Sequence, residues 1–473
     1  MSLLLTVAVL CASGLALLRL LRLATGRWTV DAPLSWFAGS GYYAFAAFAL
    51  RFLGRLPYTA ATALAIVGLP VAGLVVARGL GRGAGVATAG SAPPARWRPR
   101  PAWVFGPIAL YVAAVVLMVV LHGANTPTQT DDGLRVRAFA PILAYRDAWS
   151  PEARAVATMA GPVPTFVPSL GWRLTGRVDH FDVNGTILVG LAALLALAIG
   201  LAAERGRPER GWAGAFAVLS LPLFVYHCTS TYSDATLAIY VGAAFLFFLE
   251  YGFSREASDA GRALVLLVCA AMVKREGELV AGAVGLVLVA QLAWEGRRER
   301  YRRLLPAALL CAPYLLVLAA RIASVGLAGA FPFLRLAAER GAGGPAAPGP
   351  VPAAANQALP AFVWSLFSSG SAGILFWVLF ASAILESRAL ARRRLAWPFA
   401  AVALLLAQAA VTSVWLIPEF TLNQTTVHRQ LLPLSVAAAL WVAALLSEAA
   451  VEPPVPVART AGRVPGGKRR AKR

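Results

Sequence analysis

Long apolar runs, each near the length of a bilayer crossing, constrain this chain more than any other feature. About thirteen can be marked, and an α-helix of about 20 apolar residues is long enough to cross the hydrocarbon layer. They cover residues 3–18, 33–50, 58–78, 103–122, 184–203, 211–228, 235–252, 262–275, 277–294, 304–323, 372–387, 397–416 and 430–447. The runs are continuous rather than alternating, so they predict an all-α polytopic transmembrane protein and exclude a β-barrel.

Composition and charge agree with a membrane location. Of the 473 residues, 59% are hydrophobic and only 14% are charged, whereas a soluble domain carries about 25% charged residues. The net charge of +21 comes from basic residues in short loops and in the tail. Those segments are 78–100, 204–210, 295–303, 386–394 and the C-terminal GGKRRAKR. Thirteen crossings place them all on one side, which the positive-inside rule makes cytoplasmic; RFLGR at 51–55 is the exception. This pattern explains the charge without nucleic-acid binding.

The chain divides into four predicted parts. Residues 1–79 form an N-terminal three-helix membrane module, and residues 80–101, rich in Gly, Ala, Pro and Arg, form a cytoplasmic linker. Residues 102–449 form a larger transmembrane unit of ten crossings. Residues 450–473 form a basic, disordered cytoplasmic tail. Polar residues on the non-cytoplasmic side of the larger unit gather in five places, which we expect to face one cavity.

Two of these places carry carboxylates next to helix ends. Asp131 and Asp132 follow a long apolar helix. Two neighbouring carboxylates repel one another, which raises the pKa of one and readies it to accept a proton, so the pair is interpreted as a general base or a cation ligand. The alternative, which spacing alone favours, is a solvated helix cap. Asp234, after Tyr232, begins the run 235–252. It is either an N-cap or a further carboxylate of the same site, and the two interpretations are compatible.

Two other places carry cations. Lys274, Arg275 and Glu276 separate two short apolar halves, which we interpret as two helices meeting at a charged bend. The bend is either a solvent-exposed hairpin tip whose charges pair or a phosphate-binding corner. His428 and Arg429 open the last crossing. The arginine is either an interfacial side chain that reaches water or an anion partner, since a guanidinium matches phosphate geometry.

These motifs, taken in order, resemble those of the C-type (GT-C) membrane glycosyltransferases, such as protein O-mannosyltransferases and aminoarabinose transferases of lipid A. The resemblance covers roughly residues 102–446. It rests on an acidic pair in the first outer loop, the Pro-containing stretch 164–170, Tyr232–Ser233–Asp234, the Lys274–Gly277 bend, and Arg429 before a late Pro-containing helix. The sequence departs from the family at Arg275, where Asn is common. The three N-terminal helices lie outside the resemblance.

The resemblance implies an inverting transfer at the outer face of a bacterial inner membrane. A sugar would pass from a polyprenyl-phosphate donor to a hydroxyl of a lipid, glycan or protein acceptor. Asp131 would deprotonate that hydroxyl, and Asp132 would orient it or share a cation. Lys274, Arg275 and Arg429 would hold the departing lipid phosphate. The remaining candidate binding residues are Tyr232, Asp234, Glu276 and His428. No cofactor is implied with certainty, and a divalent cation held by Asp131, Asp132 and Asp234 stays open.

Two other classes of function remain alternatives. A lipid or solute transporter, such as a flippase, predicts charged or helix-breaking residues near mid-membrane and repeated halves. The sequence shows its ionisable residues mainly at helix ends. A non-catalytic scaffold for envelope polysaccharide synthesis predicts that Lys274 and Arg429 are dispensable while the N-terminal helices matter.

Overall fold

The chain folds into a bundle of helices. The computed structural model describes residues 1–80, 102–125, 139–150, 161–230, 233–295, 315, 318, 351–368, 372–387, 395–416, 421 and 427–449, and has no strand in these ranges. The helices are α1 (Ser2–Leu20), α2 (Trp28–Phe48), α3 (Ala60–Gly79), α4 (Ala102–Asn125), α5 (Phe139–Arg146), α6 (Pro162–Thr175), α7 (Phe181–Glu204), α8 (Pro208–Leu219), α9 (Pro222–Cys228), α10 (Ser233–Ser254), α11 (Ala257–Ala271), α12 (Arg275–Trp294), α13 (Val351–Phe367), α14 (Leu375–Leu385), α15 (Ala396–Ala410) and α16 (Val427–Ala449). Short π-helical turns, Ala49–Leu53 and Val411–Leu416, extend α2 and α15.

Eight helices in the described part of the chain are long and apolar enough to cross a membrane. They are α1, α3, α4, α7, α10, α12, α15 and α16; the spans of α4, α15 and α16 differ slightly from the helix bounds. The all-helical, membrane-spanning class is confirmed, and the chain is an integral membrane protein by these criteria. The count of about thirteen stays a prediction. The predicted crossing 304–323 lies almost wholly outside the described residues, while α2, α11 and α14 are too short or too polar to qualify by themselves.

The predicted crossing 211–228 is broken in the structure. α8 and α9 form its two halves and meet at an angle of 80°. Pro222 is the first residue of α9, and proline has no N–H to continue the hydrogen-bond ladder of a preceding helix. The break therefore follows from the backbone chemistry of one residue. Counted as one bent span, the pair would raise the number of crossings to nine among the described residues.

Small residues let α1 and α2 approach closely. A Cβ atom added at Gly14 would overlap the Ser35 carbonyl oxygen, and one added at Gly39 would overlap the Leu10 carbonyl oxygen. Membrane helices associate by such close packing because lipid offers no hydrophobic driving force between them. The close packing of α1 on α2 thus requires glycine at the crossing point.

The two most buried spans are far apart in sequence. In α10 and α16, 83% of the residues in the apolar span are buried, compared with 17% in α4 and 28% in α3. α10 and α16 therefore form the centre of the bundle, and α3 and α4 present most of their apolar surface outward. Such an outward surface suits contact with lipid chains.

The N-terminal helices pack directly on the larger unit. The Ser40 hydroxyl in α2 and the Tyr240 hydroxyl in α10 are 2.6 Å apart and hydrogen-bonded. Arg262 Nε in α11 donates to the Leu23 carbonyl after α1, at 2.7 Å. Helices from both sides of the predicted 80–101 linker thus share one core. The functional division into a module and a unit stays a prediction, and the linker, apart from Leu80, and the tail lie outside the described residues.

One end of the bundle is closed by an ionic cluster, which we call the clasp. Its members are Arg205, Arg210, Glu250, Glu256, Asp259 and Arg262. Arg205 reaches Asp259 at 2.8 Å and Glu256 at 3.2 Å, and Arg262 reaches Asp259 at 2.5 Å. The clasp joins the end of α7, the start of α8, the end of α10 and the start of α11. We call this the clasp end, and the opposite end, where α10, α12 and α16 begin, the site end.

Candidate functional site

The charged bend between α11 and α12 lies at the site end. α11 ends at Ala271 and α12 begins at Arg275, so the predicted meeting of two helices is confirmed. Lys274 is the N-cap residue of α12 and has an extended backbone (φ −165°, ψ 170°). Extended geometry is typical of an N-cap and lets the chain change direction before the helix starts. The apolar halves on either side thereby become separate helices.

Lys274 forms an ion pair with Asp234, which lies in the first turn of α10. Lys274 Nζ donates a hydrogen bond to Asp234 Oδ1. The Asp234 side chain has no exposed surface, and that of Lys274 is 10% exposed. Glu276 Oε2 lies 3.8 Å from the same ammonium, but its side chain is 59% exposed. Removing one member of a buried ion pair is costly because the other charge stays in a poorly solvated place. The two residues therefore act as one unit.

Lys274 and Arg429 line the same open pocket, which we call the Lys274 pocket. Its charged lining consists of Lys274, Glu276 and Arg429. Apolar side chains of α10, α12, α15 and α16 complete the wall, among them Leu237 and Pro433. The two cations come from positions more than a hundred residues apart. An anion in the pocket would meet both, and would also lie near the first turns of α12 and α16, whose helix dipoles favour negative charge.

The structure describes six of the nine residues predicted for the site. It brings Asp234, Lys274, Glu276 and Arg429 together at the Lys274 pocket. Arg275 is exposed, and His428 is half-buried beside Arg429; neither belongs to the pocket lining. Asp131, Asp132 and Tyr232 lie outside the described residues. The predicted roles of these three, and the metal alternative that depends on the first two, stay predictions.

Sequence reasoning missed three polar residues of the pocket. Gln408 and Thr412, near the end of α15, and Gln430, in α16, belong to its lining. Gln430 accepts a hydrogen bond from the Ser413 hydroxyl at 2.9 Å, and Gln408 Oε1 is buried with no hydrogen-bond partner in the described part of the chain. A lone glutamine inside an apolar run was the available signal, because polar residues are costly within membrane helices.

A second missed signal is the identity of the cation at the bend. Lys274 is the only lysine among the first 467 residues, whereas the other basic residues of that stretch are all arginine. Lysine carries a compact ammonium, and arginine carries a larger planar guanidinium. The exception occurs at a basic side chain that pairs with the fully buried Asp234. This suggests that the site requires the smaller group.

The described ranges contain no group of three or more His, Cys, Asp or Glu side chains placed to hold a metal ion. What the described residues offer instead is a pair of cations beside carboxylates, which suits binding of an anion with hydrogen-bond acceptors. No family model, curated protein or solved structure matches the chain. The resemblance to the C-type glycosyltransferases therefore stays a prediction, and the functional proposal depends on the site's geometry together with the motif order.

Proposed function

We propose that this protein is a membrane glycosyltransferase that moves a sugar from a polyprenyl-phosphate donor to an acceptor hydroxyl, with inversion at the anomeric carbon. The observation that carries the proposal is that Lys274 and Arg429 line one pocket at the ends of membrane helices. Helix ends lie near the level of lipid headgroups, so the pocket is placed where the phosphate of a membrane-anchored donor would sit. The hydrocarbon chain would remain in the bilayer.

The chemistry of such a transfer requires stabilisation of a departing phosphate. Negative charge develops on the leaving oxygen as the glycosidic bond breaks, and fixed cations lower the energy of that transition state. Lys274 and Arg429 would supply them. Asp234 would hold Lys274 in place through the ion pair. Asp131 would take the acceptor proton, a role that comes from the resemblance.

The orientation of the site supports transfer at the outer face of a bacterial inner membrane. The basic residues Arg205 and Arg210 lie in the clasp. α12 ends at the same end, where Glu295 pairs with Arg255, and the basic segment 295–303 begins at that residue in the sequence. By the positive-inside rule this end faces the cytoplasm. The Lys274 pocket lies at the opposite end and would therefore open toward the exterior.

The clasp argues against the transporter alternative. A transporter with alternating access must open the cytoplasmic end around a central site. Here buried charges tie four helices together at that end: Arg210 of α8 pairs with Glu250 of α10, and Arg205 after α7 pairs with Asp259 of α11. Opening the bundle there would expose or separate these pairs, which is costly. An enzyme with one fixed opening has no such requirement.

The proposal is tested by measuring sugar transfer in membranes that contain this protein. Envelope lipids and glycans are compared by mass spectrometry with and without the protein, which identifies the product; transfer from the matching polyprenyl-phosphate sugar is then measured. We expect Lys274→Ala and Arg429→Ala each to lower the transfer rate by about 10²–10³-fold, as losing a transition-state donor does. The matched control is Arg177→Ala, which removes an exposed arginine from the turn before α7 and should leave the rate unchanged.

Two further variants are needed to interpret this test. The double variant Lys274→Ala/Asp234→Asn removes the buried pair without leaving a lone charge, so its melting temperature separates loss of transfer from loss of folding. Asp131→Asn tests the base. Full transfer by the Lys274 and Arg429 variants would refute the phosphate site, and full transfer by Asp131→Asn would refute the base assignment alone.

A further inference from the structure

The first turn of α6 is fastened to the backbone of the Lys274 bend. Gly161, the N-cap residue of α6, has φ 82° and ψ 159°, a combination that is essentially restricted to glycine. Its α-carbon lies against the bend. A Cβ atom there would overlap the Val273 carbonyl group and come within 3.0 Å of the Lys274 backbone nitrogen. Both the backbone angle and the lack of space therefore exclude a side chain.

One hydrogen bond crosses this contact, and a second, within the start of α6, holds Gly161 in place. Val163 donates its backbone N–H to the Met272 carbonyl at 3.2 Å. The Thr165 hydroxyl, which is fully buried, donates to the Gly161 carbonyl at 2.6 Å. The residues on either side of the contact are more than a hundred positions apart in sequence. The contact thus joins the Pro-containing segment of the first loop to the residue whose ammonium lines the Lys274 pocket.

We propose that Gly161 is a positioning residue, which sets the location of the Lys274 ammonium through the backbone of Val273 and Lys274. The inference rests on the proposed function insofar as it concerns transfer. Lys274 reaches Asp234 and the pocket from a backbone that Gly161 touches directly. The bend is also packed against α10, since a Cβ at Gly277 would lie 3.1 Å from Leu237 Cδ1. A side chain at position 161 would push the bend as a whole and move the ammonium.

The consequence for transfer follows from the sensitivity of catalysis to position. A displacement of about 1 Å can lower a rate by about 10²-fold. Gly161→Ala should therefore reduce the maximal rate of transfer more than it reduces donor binding, because Arg429 and the apolar wall of the pocket stay in place. The Michaelis constant should change less than the maximal rate.

Amine labelling tests the positioning role independently of any reaction. Replacing Lys468 and Lys472 by arginine leaves Lys274 as the only lysine, so an amine-reactive reagent can be followed at one site by peptide mass spectrometry. In the native protein Lys274 is mostly buried and ion-paired, so labelling should be slow. Gly161→Ala should accelerate it several-fold. Thr165→Val, which removes only the hydrogen bond to the Gly161 carbonyl, should give a smaller increase in a protein that still folds.

Gly176→Ala is the matched control. Gly176 follows the other end of α6 and also has a positive φ (70°), but a Cβ there meets nothing within 4 Å. It therefore carries the backbone strain without the collision, and the labelling rate of Lys274 should stay unchanged. Equal labelling in the native protein, Gly161→Ala and Thr165→Val would overturn the positioning role, whatever the transfer assay shows. Accelerated labelling together with no transfer by the native protein would keep the positioning role and refute the proposed function.

Discussion

At the scale of single residues, the pairing of Lys274 with Asp234 links a buried carboxylate to the Lys274 pocket. Asp234 is fully enclosed, and the ammonium that neutralises it also faces the Lys274 pocket. A chain that otherwise uses arginine for nearly all its positive charges keeps a lysine here. A lysine ammonium is smaller than an arginine guanidinium, so the two cations would fill this position differently.

We expect Lys274→Arg to behave as a disruptive substitution although it preserves the charge. The larger guanidinium must fit beside the buried Asp234, and overfilling a packed site costs about 1–3 kcal/mol. Transfer should fall close to the level of Lys274→Ala, and the melting temperature should drop. Measuring both quantities checks the prediction. A Lys274→Arg protein with native rate and native melting temperature would show that only the positive charge matters.

At the scale of helices, the close approach of α1 and α2 makes a further prediction. Gly39→Ala places a methyl group against the Leu10 carbonyl, and the helices must separate to accept it. We expect the free energy of unfolding to fall by about 1–3 kcal/mol. Gly68→Ala, in α3, is the control: a Cβ there meets nothing within 4 Å, and it should be neutral or slightly stabilising because glycine weakens a helix.

Unfolding in mixed detergent micelles, followed by circular dichroism, measures both variants. Equal stability of Gly39→Ala and the native protein would mean that the α1–α2 crossing relaxes without cost. A loss in Gly68→Ala as large as that in Gly39→Ala would show instead that α3 does not tolerate change at its exposed face, and that the comparison reports a general effect of the alanine.

Much of the helical framework could be predicted from the sequence, because apolar runs and helix-start residues are local signals. The separation of α11 from α12 at Lys274 and the start of α10 near Asp234 are examples. The break at Pro222 also had a local signal, the proline itself. Because Pro222 lies inside an apolar run of bilayer length, the sequence predicted one continuous crossing there. The contact of Gly161 with Val273 had no local signal, since it depends on how two distant segments pack.

In the site, too, some features could be predicted from the sequence and others depend on packing. The expectation that Asp234, Lys274 and Arg429 share a cavity followed from placing helix ends on one side of a membrane. Their shared pocket depends on the packing of α10, α12, α15 and α16, which periodicity does not determine. The contribution of α15 was therefore not predictable as a pocket wall, although Gln408 stood out in an apolar helix.

At the scale of the whole molecule, the two ends should lie on opposite sides of the membrane. Single cysteines test this in a background without the native ones. Arg177→Cys, near the start of α7, should react with a membrane-impermeant maleimide in intact cells. Trp28→Cys, at the start of α2, should react only after permeabilisation, because Arg27 beside it pairs with Glu204 at the clasp end. Both positions are exposed to solvent or headgroups.

The reverse pattern of labelling would put the Lys274 pocket in the cytoplasm. It would then remove transfer at the outer face from the proposal while leaving the phosphate site itself untouched. Labelling of both cysteines in intact cells would indicate leaky cells, which a cytoplasmic marker protein detects in the same sample.

The clasp has a consequence for how the molecule responds to heat. The free-energy penalty for removing charges from water falls as temperature rises. Buried ion pairs therefore lose less of their stabilising free energy on warming than other contacts do. The site end has fewer such pairs among the described residues, and proteins open locally where stabilising contacts are sparse. Warming should therefore cause local unfolding at the site end before the clasp end opens. Amide exchange would begin near Lys274 while the segment around Asp259 is still protected.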